Sequence, residues 1–136
     1  MTVTEKFMFF VPNRYYTTGL ITHLSFNIAV IPVDMLVTSM TLCIPVPHLA
    51  IPQAQLTING IAGGWDEQLI LTAHPPQHPS AAFVYVNQGA PEAQMDLTHL
   101  SSEWRFNSLQ NHGLCIQSNT LAFSLDNPPY LLVTTN

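Results

Sequence analysis

The sequence predicts a single all-β sandwich domain, and three observations carry that expectation. Eleven prolines and six glycines are spread over 136 residues, so uninterrupted segments are short and long helices have no room. In most of those segments apolar residues recur with period two rather than 3.6. The length suits one ordinary domain, which buries roughly 68–70% of the surface its unfolded chain exposes. No internal repeat or low-complexity linker divides the chain. Residues 1–136 therefore read as one domain, with 1–19 an N-terminal strand or arm and 20–136 its core.

Phe7-Met8-Phe9-Phe10-Val11 is a strand in which alternation fails, since Phe7, Phe9 and Val11 fall on one side and Met8 and Phe10 on the other. Such a strand needs cover on both faces. The cover is either a loop of the same chain, such as Pro45 to Pro52, or a second subunit, packed face to face or receiving the strand along an open sheet edge. Removal of residues 1–11 is expected to leave a folded β-rich domain that no longer assembles. Tyr15 to Leu20 reads as a short connection.

Leu20 to Ile28 follows as a strand with Leu24, Phe26 and Ile28 inward. Leu36 to Val46 gives the clearest alternation. Leu36, Thr38, Met40, Leu42, Ile44 and Val46 share the inward face, while Val37, Ser39, Thr41, Cys43 and Pro45 share the other. Further strands are expected at Gln55 to Ile61, Gln68 to Leu71, Phe83 to Val86, Leu114 to Ser118, Leu121 to Leu125 and Tyr130 to Thr134. One helix of at most two turns follows Asp96-Leu97-Thr98, capped by Thr98, with Leu97, Leu100 and Trp104 on one side.

Only 8% of residues are charged, against about 25% in typical soluble domains. A surface wetted by Thr, Ser, Asn and Gln repels its copies weakly, which favours assembly. The net charge is −5 and the fixed cations are Lys6, Arg14 and Arg105, so no basic stripe exists to neutralise phosphates and nucleic acid is a poor partner. No stretch approaches the roughly 20 apolar residues of a membrane-spanning helix, and Met1 to Lys6 lacks the pattern of a secretory signal.

Cys43 and Cys115 allow one disulfide or two free thiols. Strand parity points both away from the core, where they pair across adjacent strands, lie free or bond to neighbouring subunits. At least one is expected to be accessible or oxidised; the other reading is two buried, inert thiols.

His74 and His78 have helical metal spacing, but Pro75, Pro76 and Pro79 make that segment a loop. His112 precedes Gly113 at a turn. Gly60, Gly63 and Gly64 lack the Lys of a phosphate loop, and no nucleophile motif is present. Trp65 with Glu67, and Trp104 on the helix, read as packing residues. These observations predict a protein without enzymatic activity, metal or cofactor.

Several ordered blocks carry a family resemblance. Leu24-Ser25-Phe26-Asn27-Ile28 with Ile31-Pro32, Trp65-Asp66-Glu67 with Thr72 and Pro75-Pro76, Asp96-Leu97-Thr98 with Trp104, and Asn111-His112-Gly113 before Phe123-Ser124 and Tyr130 resemble the DNRLRE-type domain. That resemblance spans about four-fifths of the chain and implies a jelly-roll sandwich found in bacterial and archaeal surface proteins and polysaccharide-degrading enzymes. It departs at the front, where the family's extra hairpin and its Arg are missing and His23 stands nearby.

The resemblance implies adhesion, scaffolding or glycan binding at an extracellular, cell or spore surface, and Phe26, Trp65, Glu67, Thr72, Asp96, Thr98, Trp104, Asn111 and Gly113 as residues that hold the fold. The leading functional expectation is a self-assembling subunit of a surface layer, appendage or coat. The alternative is a carbohydrate-binding module or adhesin, with Tyr15, Tyr16 and Tyr85 stacking on sugars.

Overall fold

A computed structural model describes residues 5–18, 20–45, 51–66, 75–107, 111–118 and 128–136. The strands expected at Gln68 to Leu71 and Leu121 to Leu125, with Glu67, Thr72, His74 and Val46, lie outside the described residues.

The described residues fold into two antiparallel sheets. The strands are β1 (Lys6–Phe10), β2 (Arg14–Thr18), β3 (Ile21–Ser25), β4 (Val37–Pro45), β5 (Gln53–Ile61), β6 (Gln77–Asn87), β7 (Glu92–Asp96), β8 (Leu114–Ser118) and β9 (Tyr130–Thr135). Sheet A has the order β1-β9-β4-β7 and sheet B the order β2-β3-β8-β5-β6. A 3₁₀ turn at Thr98–Leu100 runs into helix α1 (Ser101–Phe106). Among the described residues the all-β expectation holds, as does the single short helix.

Alternation decides which side chains fill the space between the sheets. Met40, Leu42 and Ile44 from β4, Leu131 and Val133 from β9, Leu56 and Ile58 from β5, and Leu114 and Ile116 from β8 are buried in one cluster. Leu24, Phe26 and Ile28 join it, as do Leu97 before the 3₁₀ turn and Trp104 within α1, with Leu100 packed against it. Each such side chain contributes about 1.5–3 kcal/mol by leaving water.

Four local expectations are corrected. Leu36 lies outside β4 and is exposed, whereas Val37 packs against the core. The register shifts between Val37 and Ser39, so the inward parity that holds from Met40 onward does not extend back through that bulge to Leu36. Tyr15 to Leu20 is not a simple connection: residues 14–18 form β2, paired with β3. His78 lies in strand β6 rather than a loop; with Pro79 in the same strand, the placement suits a sheet edge, where a missing backbone donor breaks no ladder.

The fourth concerns Thr98, which does not cap the helix. Its own N–H donates to Asp96 Oδ1 at 2.9 Å, and its hydroxyl accepts the Met40 N–H at 2.9 Å. The Asp-x-Thr motif thus ties the helical turn to β4. The Thr98 hydroxyl also donates to that Oδ1, and the two bonds that Thr98 gives Asp96, the hydroxyl's first and the backbone N–H's second, hold the carboxyl below its ordinary range.

Asn111 and Gly113 have similar duties. Asn111 Nδ2 donates to the Phe26 carbonyl at 2.8 Å. Gly113 has φ +92°, and any Cβ there would run into the Leu24 carbonyl, so the approach to β8 requires glycine.

Candidate interaction surface

Phe7 and Phe9 project from the outer face of sheet A and remain 60% and 68% exposed, with Val11 exposed beyond them. Met8 and Phe10, on the opposite parity, pack against the core. β1 pairs with β9 on one side only, so its second edge carries no ladder partner among the described residues. The one ring contact of Phe9 among the described residues is Tyr130, at a centroid separation of 6.1 Å. The segment is therefore an edge strand with one buried face and one apolar face in water.

Tyr130 belongs to a second feature of the same face. Its hydroxyl donates to Glu92 Oε2 at 2.7 Å, and Gln94 Nε2 donates to Glu92 Oε1 at 2.6 Å. Hydrogen bonding to that carboxylate raises the Tyr130 pKa. Cys43, opposite Tyr130 in the ladder, is buried as a free thiol. Its pKa is raised by burial and by the charge of Glu92, against a bond from Tyr130 that lowers it.

The outer face of sheet B carries a compact packing cluster at its β2–β3–β8 end. Ile61, Trp65 and Cys115 are buried together, with Tyr16 and Ile21 against them. The Arg14 guanidinium lies 3.7 Å from the Trp65 ring centroid and donates to the Trp65 carbonyl at 2.6 Å. The His23 ring stands 5.6 Å from Trp65, whose Nε1 donates to the His112 carbonyl at 2.7 Å. Trp65 thus fastens the 62–66 segment over β8.

Both thiol expectations need correction. Cys43 and Cys115 are each free and buried, so neither is accessible or oxidised. Their parity is as expected, since each points away from the core. They sit on opposite outer faces of two sheets that pack about 10 Å apart, whereas a disulfide needs Cα atoms within about 7 Å. Neighbouring side chains cover both. Burial pushes the Cys115 thiol up to about 11, the reverse of an activated nucleophile.

The three tyrosines proposed to stack on sugars do not meet. Tyr15 faces the core, opposite Leu24, and Tyr16 lies in the Trp65 cluster. Tyr85 is four strands away on β6, or about 19 Å at the spacing of neighbouring strands. Tyr85 has a different companion. Phe83 lies two residues before it on the same face, and the two are 59% and 58% exposed. Thr57 stands across from Phe83 and Gln55 across from Tyr85, with Gln117 beyond Thr57, so this patch is aromatic, amide and hydroxyl without a charge.

Phe83 was not among the expected site residues, although the Phe83-Val84-Tyr85-Val86 alternation marks it. Aromatic residues occupy one parity and β-branched residues the other, which is how an edge strand with one buried face reads.

A cleft of about 280 Å³ opens between α1 and the segment before β8, lined by Ile61, Leu100, Glu103, Trp104 and His112. It brings one carboxylate and one imidazole together. Among the described residues no group of three metal-ligating side chains occurs, and no helix is long and apolar enough to cross a membrane. No family model matches the chain, and no curated protein matches it.

Proposed function

We propose that this protein is a non-enzymatic structural subunit that assembles with copies of itself into a surface layer, appendage or coat. One observation carries the reading: β1 is an edge strand, paired among the described residues with β9 alone, whose outward residues Phe7 and Phe9 are exposed, as is Val11 just beyond it. Edge strands that stay monomeric are normally blunted by charge or proline, and β1 offers only Lys6 at its start. Low overall charge weakens the repulsion that keeps copies apart. The resemblance to DNRLRE-type domains supports a place at the cell or spore surface.

Sedimentation velocity and electron microscopy of the purified protein test this. The wild type is expected to form filaments or lattices, and Phe7→Lys/Phe9→Lys to remain a folded monomer. A wild type that stays monodisperse at millimolar concentration would remove the reading.

A second reading has an observation of its own. The Phe83–Tyr85 pair beside Gln55 and Thr57 offers ring faces and neutral hydrogen-bonding groups, the chemistry that takes an uncharged polysaccharide. Binding of a soluble neutral glucan, lost on Tyr85→Ala, supports it.

A further inference from the structure

The two exposed aromatic pairs occupy diagonally opposite corners of the sandwich. β1 and β2 are separated only by Val11, Pro12 and Asn13, so both lie along one side. β6 and β7 are joined by a turn in which the Ala90 N–H donates to the Asn87 carbonyl, with Gly89 at φ +86°. They line the other side. Phe7 and Phe9 stand on the outer face of sheet A at the first side; Phe83 and Tyr85 stand on the outer face of sheet B at the second.

Strand directions follow from the same pairings. β6 reverses into β7, and β7, β4, β9 and β1 alternate across sheet A. β1 and β6 therefore run the same way within one chain. A neighbouring copy turned by half a turn about the line joining the two sides brings its sheet B level with sheet A of the first. Its β6 then lies antiparallel to β1, with both aromatic pairs on one shared face.

From this placement we infer that the occupant of the β1 edge is the β6 edge of a second copy, in a head-to-tail contact. The inference rests on the self-assembly reading and names its interface. Rings then meet rings across the new ladder, as cross-strand aromatic pairs prefer. In the other layer the same turn sets β2, which bears Arg14, beside the neighbour's β7, which bears Glu92 and Asp96, so the charges are of opposite sign.

The competing geometries fit less well. Simple translation of a copy sets β1 against β7 and places Phe7 and Phe9 beside Glu92 and Asp96. A two-fold pairing of β1 with itself leaves Phe83 and Tyr85 in water. The head-to-tail contact uses different surfaces on each copy and does not close, so it propagates as a filament.

Two blocked variants test this. Phe9→Lys obstructs the β1 side and Tyr85→Lys the β6 side, and both alter exposed residues, so each is expected to keep the wild-type far-UV circular dichroism. Alone, each should raise the concentration needed for assembly at least tenfold. Mixed in equal amounts, they should form a one-to-one dimer by sedimentation velocity, because one copy retains β1 and the other retains β6.

Wild-type assembly by Tyr85→Lys, or filaments from the wild type without a dimer from the mixture, overturns the inference and leaves the self-assembly reading standing. A wild type that never assembles removes both. Unchanged assembly with loss of glucan binding in Tyr85→Lys also overturns the inference and assigns the ring pair to a polysaccharide.

Discussion

Cys115 points out of sheet B and is nevertheless buried, packed with Ile61 and Trp65. Parity in Leu114-Cys115-Ile116 gives the correct direction, away from the core. It does not reveal that Trp65, fifty residues earlier in the chain, folds back over that face with Arg14 and His23 around it. Exposure is a tertiary property; direction is a local one. The covered thiol has a consequence for pH. Burial lifts its folded pKa to about 11, above the ordinary thiol value of 9.0, so the proton is held more tightly in the folded chain than in the unfolded one. The stability this provides is fully present below about pH 9 and is lost as pH rises toward 11. Urea midpoints of the wild type are therefore expected to fall across that window more steeply than those of Cys115→Ala. Equal slopes would mean that the thiol is not shielded. In the native protein at pH 7.5, Cys115 is also expected to resist thiol reagents until unfolding.

The elements were legible wherever one face is core and the other water. Met40, Leu42 and Ile44 announced β4, and Leu97, Leu100 and Trp104 announced the helical turn. β2 was not legible, because Arg-Tyr-Tyr-Thr-Thr shows no apolar alternation; one tyrosine packs into the core and the other into the Trp65 cluster. The bulge at Val37 and Ser39 inverted a parity that sequence alone projects unchanged along the strand. For β1, the two-faced apolar pattern correctly marked an unusual strand, but its halves have different duties. Met8→Ala and Phe10→Ala should each lower unfolding free energy by about 1–3 kcal/mol, since both side chains pack into the core. Phe7→Ala and Phe9→Ala should leave the monomer's stability within about 0.5 kcal/mol while weakening assembly. Comparable stability losses for all four would place both faces inside the fold. For the same reason, deletion of residues 1–11 is a poor probe of assembly, because it strips Met8 and Phe10 from the core and leaves β9 as a bare edge.

At the scale of the whole molecule, composition and topology bear on the same point. Sheet A ends in β1 and sheet B in β6, each edge bearing two exposed rings, in a chain with three fixed cations among 136 residues. If apolar contact between those edges drives assembly, screening of charge should not dissolve it. Raising sodium chloride from about 0.05 to 0.5 M shortens the Debye length from about 14 to 4 Å, which would sharply weaken a contact held by Arg14 against Glu92 and Asp96 alone. An apolar contact is instead strengthened by excluded salts such as sulfate and weakened by cooling. The net charge of −5 adds a small mutual repulsion that salt also screens. Light scattering at fixed protein concentration is therefore expected to hold or rise with salt and to fall as the sample is cooled from 37 to 5 °C. Scattering that collapses with added chloride would make the Arg14 side of the contact, rather than the ring pairs, the source of the assembly.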